Sequence, residues 1–520
     1  MLKMVDGTGI IGVDMVCPLG GAVSPPQPPN YDNIEMDGMG SLTLPNSLKA
    51  PIERLELLGN STQGENPSPD NPQEIKSAGR KSRNLFDINY FKDKSNLQII
   101  QCEGFSLLGI ICNVKPNTNY TLSANITEAQ YNLNIANKTQ RFSLTSSSAR
   151  TLMSNDDGTL YIGLFNTTTA DAVNMDDFMQ QYKNIQLEEG DAATYYEPYS
   201  DKYLLDVKVT GKNLFDIEKA KNLYNWEECP VMPTYKDFPI YIGKGNKFSL
   251  SFHENLKNMK SEIVVAVALV KSSGINKWLY DGGNNFNNAY IETAKEDYIY
   301  IRSNKKRIHF FTNDIKTLQV EINPVPTEYQ PYTEQTVQIA LDEPLRGIGE
   351  YKDTITKDGI VRKICDPYEI DLNSLKDGGY QKPNTVLFYF KAKSKAVTYT
   401  ALKQSIICNT LPDCAIGGAN IFNKDAECIA VAGINIWFRI LKSRLKDTSN
   451  FEAIKQSFIE HMADKKMIVE HAIETPVTEP LPESVQAQLS ALHSENGTTH
   501  VFVDSGEVPC GIKLTYRKEK

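Results

Sequence analysis

An internal duplication constrains this chain more than any other feature of its sequence. Asn84-Leu85-Phe86-Asp87-Ile88 recurs as Asn213-Leu214-Phe215-Asp216-Ile217, an offset of 129 residues. Tyr120-Thr121-Leu122-Ser123 has its counterpart in Phe248-Ser249-Leu250-Ser251, and Ile185-Gln186-Leu187-Glu188 in Leu318-Gln319-Val320-Glu321, at offsets of 128 and 133. Thr194, Tyr196, Pro198 and Tyr199 match Thr327, Tyr329, Pro331 and Tyr332, again 133 apart. Four anchors in one order with nearly constant spacing indicate two copies of a whole domain. The period is far beyond the roughly 20–50 residues of a solenoid unit.

Each copy reads as β structure. Side chains alternate in Tyr120–Ile126 and Leu160–Phe165 of the first copy, and in Lys247–Phe252 and Tyr298–Ile301 of the second. Asn, Gly, Asp and Ser clusters separate these runs, so several short strands with turns fill about 120 residues, as in a sandwich. Past Tyr332 the character changes. Tyr351–Thr356 and Ile360–Ile364 flank Lys357-Asp358-Gly359, a hairpin in which Asp-Gly supplies the positive φ of a tight turn. Ser449-Asn450-Phe451-Glu452 has the spacing of a capping box, and Phe451, Ile454, Phe458, Ile459 and Met462 follow on one helical face. That face is read as core, and so is Trp437 within the apolar strand Ile434–Ile440.

Composition narrows the function. With 64 acidic and 55 basic residues the formal charge is −9, which disfavours general nucleic-acid binding and docking on anionic lipid. No apolar run approaches the roughly 18–20 residues that span a bilayer, and the first twenty residues lack a basic stretch followed by a long apolar one, so no secretory signal is expected. Nine cysteines without a CxxC fit free thiols in a reducing compartment; the spacings of Cys408, Cys414 and Cys428 match no common zinc pattern. The 520 residues suggest about three to five domains.

Candidate chemistry is sparse. Gly7-Thr8-Gly9-Ile10-Ile11-Gly12 matches GxGxxG but runs on to Cys17-Pro18 and a proline-rich stretch, leaving no room for the helix a dinucleotide site needs. Glu188 and Glu189 are adjacent on a strand and point to opposite faces, unlike the facing pair of a glycosidase, and are expected at a solvated strand end. GxSxG and HExxH are absent, and His461 and His471 are assigned to partly exposed packing. No catalytic, cofactor-binding or metal-ligating residue is assigned, no cofactor is expected, and the chain is read as no enzyme. For sugar binding, Trp278 and Tyr280 followed by Asn284 and Asn285 combine rings to stack on with amides to read hydroxyls; the competing role is a core or subunit interface. Tyr224, Asn225 and Trp226 form a weaker candidate. Tyr196, Tyr199, Tyr329 and Tyr332 serve either a partner interface or a domain-closing plug.

At NLFD, at NIQLEEGDAATYYEPYS and its second copy, at RLELLGNSTQGENPSPDNPQEIKSAG, at EPLRGIGEYKDTITKDGIVRKI and at FEAIKQSFIEHMADKKMIVEHAIETPVTEPL, the chain resembles tail and baseplate proteins of bacteriophages that infect Gram-positive bacteria. The segments touch most of residues 51–520. The resemblance implies sandwiches like those of carbohydrate-binding modules, a place in the tail of a virion, a role in adsorption to a host glycan, other tail or baseplate proteins as partners, and a homo-oligomer, often a trimer. Asn323-Pro324 stands where the first copy has Gly190-Asp191, so the closing turns differ.

The fold class expected is mainly β, with two tandem jelly-roll-like β-sandwiches plus a C-terminal α+β domain. The expected divisions are an extended N-terminal attachment arm (1–50), a strand-and-loop connector (51–80), sandwich 1 (81–200), sandwich 2 (201–333), and a C-terminal β-rich domain (334–520) with one helix near 450–466. The function expected is a structural virion component contributing to host-surface attachment. The alternatives are a purely architectural baseplate, collar or neck protein, and a cell-wall or capsule glycan-degrading enzyme.

Overall fold

The duplicated segments form two β-sandwiches with matching strand order in a computed structural model of the chain, which is mainly β throughout. The structure describes residues 5–6, 9–10, 30–36, 40–128, 130–144, 149–191, 193–194, 196–223, 236–252, 264–268, 277–281, 289–303, 317–379, 381–392, 394–396, 404–414, 421–432 and 434–519. In the first sandwich one sheet runs Ala149–Met153, Asn119–Ile126, Tyr182–Glu189. The other runs Arg141–Ser143, Leu133–Ala136, Thr159–Phe165, Phe105–Asn113, Gln98–Cys102. The second sandwich repeats this as Ala289–Thr293, Lys247–Phe252, Leu318–Glu321, and as Lys277–Asp281, Val264–Ala268, Tyr298–Ser303, Lys236–Tyr241. Only Gln98–Cys102 lacks a counterpart among the described residues.

Register repeats as well. Thr121 faces Glu188 and Leu122 faces Leu187; in the second copy Ser249 faces Glu321 and Leu250 faces Val320. Because successive side chains alternate across a strand, Tyr120, Leu122, Leu160, Ile162 and Leu187 enter the first core, and Phe248, Leu250, Ile299, Ile301 and Val320 the second.

Both sandwiches are insertions into a third, composite body. Arg80 bridges Leu204, and Thr210 pairs with Glu334, so each sandwich leaves the body and returns to it at adjoining points. The body has a four-stranded sheet in the order Glu334–Leu341, Tyr203–Thr210, Gly497–Asp504, Ser41–Ser47. A seven-stranded sheet runs Tyr31–Met36, Gly511–Arg517, Arg54–Leu58, Thr354–Thr356, Ile360–Glu369, Ile468–Pro480, Ile406–Cys408. These two sheets bury Leu44, Leu57, Val207, Ile339, Val501 and Ile512 between them, with Leu489 of the helix Glu483–Ala491 at one end. The long strands Ile360–Glu369 and Ile468–Pro480 continue into a second lobe, where the sheet Lys376–Asp377, Thr385–Lys391, Asn435–Leu441, Cys428–Ala432 packs with the helix Phe451–His461. The ladder of the long strands slips between Lys363 and Cys365. Asp353 repairs the slip: its carboxylate accepts the N–H groups of Ile364 at 2.7 Å and Cys365 at 3.1 Å, and of Arg346 at 3.0 Å. Burial still holds its pKa above the ordinary aspartate value.

Several expectations need correction. Residues 30–50 are no free arm: Tyr31–Met36 pairs with Gly511–Arg517 and Ser41–Ser47 with Gly497–Asp504, with Leu42 and Leu44 buried. The proline run at 24–29 lies outside the described residues. Arg54–Leu58 is an interior strand of the largest sheet, not a connector. Tyr203–Thr210 belongs to the body rather than to the second sandwich. The C-terminal region shares its sheets with the N-terminal strands and carries a second helix, Glu483–Ala491. The helix near 450 is capped by Asn450, whose side chain accepts from the Ala453 N–H at 3.0 Å, not by Ser449. Thr354–Thr356 and Ile360–Glu369 form the hairpin, with Gly359 at φ 73 in its turn.

Candidate functional site

The repeated motifs meet where each sandwich closes and joins the body. Asn84 and Asn213 open the two copies. The Asn84 side-chain oxygen accepts the N–H of Phe86 at 2.9 Å and of Leu187 at 3.1 Å. Asn213 accepts from Phe215 at 3.0 Å and Val320 at 3.2 Å. Each thereby staples the first residues of its copy to the closing strand. The following Phe86 and Phe215 are buried, and Asp87 and Asp216 cap short helices through Asn89 and through Glu218 and Lys219.

The closing strand then anchors the aromatic segment. Glu188 accepts the Thr194 N–H at 2.8 Å and its hydroxyl at 2.6 Å; Glu321 accepts the Thr327 N–H at 3.0 Å and its hydroxyl. Gln186 and Gln319 accept the backbone N–H of Glu197 and Gln330 at 2.7 and 2.8 Å. Glu188 is therefore buried and structural, which corrects its placement at a solvated strand end: the carboxylate finds its partners in the segment folding back over the strand. Its neighbour Glu189 is exposed and pairs with Lys115 at 2.9 Å.

The two necks carry different charges. At the first, the largely buried guanidinium of Arg80 meets Glu197 at 2.6 Å, Asp206 and, at 3.6 Å, Asp504. At the second, Glu334 meets Lys208 at 2.6 Å, Lys219 at 2.8 Å and the Tyr332 hydroxyl. Burial would raise the Glu334 pKa, but these donors outweigh it and hold it at about 2. Burial and the adjoining Glu334 push the Tyr332 phenol up. A cleft of about 210 Å³ lies beside this neck, lined by Lys212, Glu321, Thr327, Gln330, Thr498 and His500 among others. His500 is wholly enclosed, bonds Thr43 at 2.8 Å, and is driven by burial to a pKa of about 4.

The remaining sequence candidates fall in separate places. Tyr196 and Tyr199 are exposed, at 44% and 40%. Tyr329 and Tyr332 are half-buried. Trp278 and Tyr280 lie on the strand Lys277–Asp281, opposite Ala266 and Val265, and their side chains are not among those described. Asn284, Asn285, Tyr224, Asn225 and Trp226 lie outside the described residues, as does most of the GxGxxG stretch. Trp437 is half-buried, stacked on Tyr389 at 4.6 Å and donating to the Ala432 carbonyl. His471 is completely buried between the carbonyls of Asp366 and Ser394, which corrects the exposure expected for it; His461 faces Asp70 at 3.0 Å.

Sequence reasoning singled out Tyr332 but missed the ion pairs of both necks, since each cation lies more than a hundred residues from its carboxylate. The EPY motif held the one usable signal, Glu197, which the second copy replaces with Gln330. Among the described residues no three His, Cys, Asp or Glu side chains converge as a metal site requires, and no helix is long and apolar enough to cross a membrane.

Comparison with known proteins finds no matching family model and no matching curated protein. Among solved structures, an arabinofuranosyltransferase, AftD, from Mycobacteria aligns at 8% identity with a TM-score of 0.12, over 89% of this chain and 36% of that one. The chain thus spans about a third of that protein's length, and the likeness carries no argument.

Proposed function

We propose that this chain is a structural, non-catalytic component of the tail or baseplate of a bacteriophage infecting Gram-positive bacteria, and that its two sandwiches are held out for contact with the host surface. The observation that carries this reading is the insertion of two like sandwiches into one body, each with adjoining ends. Such a module projects as a unit without interrupting the core of its carrier. The sequence resemblance at the closing motifs supports the same reading. Neighbouring tail proteins and further copies of the chain, a trimer by preference, are the partners, with a cell-wall glycan as the host contact. Weak sugar contacts become firm attachment when several copies engage together.

The test is binding of the purified full chain, alone and clustered on a bead, to cell walls of candidate hosts. Retention by walls, much stronger for the clustered form, is expected, without release of reducing ends. Failure to bind any wall while the chain still assembles with tail proteins would leave the architectural role. Release of reducing ends would overturn the non-catalytic reading.

A further inference from the structure

The edge of the second lobe brings two thiols together. Pro412 and Cys414 run alongside the strand Cys428–Ala432: the Ile429 N–H donates to the Pro412 carbonyl at 3.0 Å, and the Cys414 N–H to the Ile429 carbonyl at 2.8 Å. The Cys428 thiol then donates to Cys414 Sγ at 3.1 Å. Both side chains are buried among Leu387, Ile421 and Ala430. Arg439, opposite Cys428 in the ladder, is fully buried and donates to the carbonyls of Ile421 at 2.6 Å and Phe422 at 3.0 Å.

This separation discriminates between the two uses of paired cysteines. Tetrahedral zinc, with bonds of about 2.3 Å, holds two thiolates roughly 3.8 Å apart. At 3.1 Å the sulfurs are too close to share such an ion, and the guanidinium of Arg439 beside them opposes any cation. A disulfide needs a sulfur–sulfur distance of about 2.05 Å, roughly 1 Å of further approach. We propose that Cys414 and Cys428 are an oxidation site that closes to an intramolecular disulfide when a peroxide reaches it.

The two sulfurs divide the chemistry between them. The hydrogen bond from Cys428, with Lys424 and Arg439 assisting, lowers the pKa of Cys414, whereas burial raises those of Cys102, Cys112, Cys365, Cys408 and Cys510. Cys414 is thus the nucleophile, because the thiolate is the reactive form. Its sulfur attacks one peroxide oxygen, the O–O bond breaks, and hydroxide leaves and is protonated to water. The Cys428 sulfur then attacks the resulting sulfenic acid: the S–S bond forms, the S–O bond breaks, and the departing hydroxide takes the Cys428 proton as a second water. Two thiols are oxidised and one hydrogen peroxide is reduced to two waters.

The experiment treats the full-length protein with hydrogen peroxide, blocks residual thiols with an alkylating agent, and analyses it without reductant. Two of the nine thiols should become unavailable, with an intact mass about 2 Da lower before alkylation, reversed by dithiothreitol. Lys424 lies between the two cysteines, so tryptic peptides carrying them should remain joined only by the cross-link. The Cys428→Ser variant should instead accumulate a sulfenic acid at Cys414 that a cyclic 1,3-diketone traps. The proposal is overturned if both thiols stay alkylatable while the more accessible Cys102 is oxidised. It is equally overturned if Cys414 joins Cys408, goes on to sulfinic acid unlinked, or is protected by a stoichiometric metal. The wild-type peptide assignment decides the matter even if the variant does not fold.

Discussion

Asn84 and Asn213 show how much a single side chain contributes to each sandwich. Replacing Asn84 with alanine strands the buried N–H groups of Phe86 and Leu187 and the carbonyl of Ile185, and a buried unmet polar group costs about 1–3 kcal/mol. Asn84→Ala is therefore expected to speed amide exchange along Tyr182–Glu189, measured by hydrogen–deuterium exchange, and to leave the second sandwich unaffected. Leu85→Ala, at a position 41% exposed, should change stability by less than about 0.5 kcal/mol. The motif's recurrence was plain in the sequence, but its division of labour was not: asparagine staples, phenylalanine fills and aspartate caps. The helix start moved for a similar reason. Serine and asparagine cap about equally well, and only the contact of Asn450 with Ala453 distinguishes them. His471 accepts burial because carbonyls meet both ring nitrogens, whereas Trp437 stays half-buried because strand alternation gives the core face to its neighbours Ile436 and Phe438.

Between elements, charge fixes the two necks, and they should differ in acid. His500 beside the second neck is held neutral, with its pKa at about 4 against an ordinary 6.5. The unfolded chain takes up this proton first, so its contribution is whole above pH 6.5 and declines as pH falls toward 4, by up to about 3 kcal/mol. Glu334, held at about 2 against 4.5, adds stability that is present above pH 4.5 and lost as pH falls toward 2. Acidification from pH 7 to 4 is therefore expected to loosen the contact of the second sandwich with Gly497–Asp504. Limited proteolysis at graded pH measures this, and His500→Gln should remove the part of the loss between pH 6.5 and 4. At the first neck, Arg80→Ala leaves Glu197 with the more distant Arg83 as its one cationic partner among the described residues and should cost about 3 kcal/mol, since a broken buried pair strands its surviving charge. Faster cleavage near residues 80 and 204, without change at residue 334, is the expected outcome. None of these contacts was legible beforehand, since each joins residues that only the tertiary fold brings together.

For the molecule as a whole, the duplication was legible because it repeats side chains in order, and the mainly β class because the strands alternate. The body was not. Its N-terminal strands pair with strands more than 450 residues later, such as Tyr31–Met36 with Gly511–Arg517, and a partner at that distance leaves no mark on local pattern. The same pairing predicts that deletion of residues 1–47 unfolds the body instead of trimming an appendage, because it removes the buried Leu42 and Leu44 together with both edge strands. Loss of the cooperative thermal transition and aggregation on purification would register this. The proposed place in a virion rests on the whole assembly of body and paired sandwiches. Immunogold labelling of phage particles released by a bacterium that makes this chain tests it most directly. Gold clustered at the distal tail is the result predicted; particles that carry tails but no label, with the chain left free in the lysate, would contradict it.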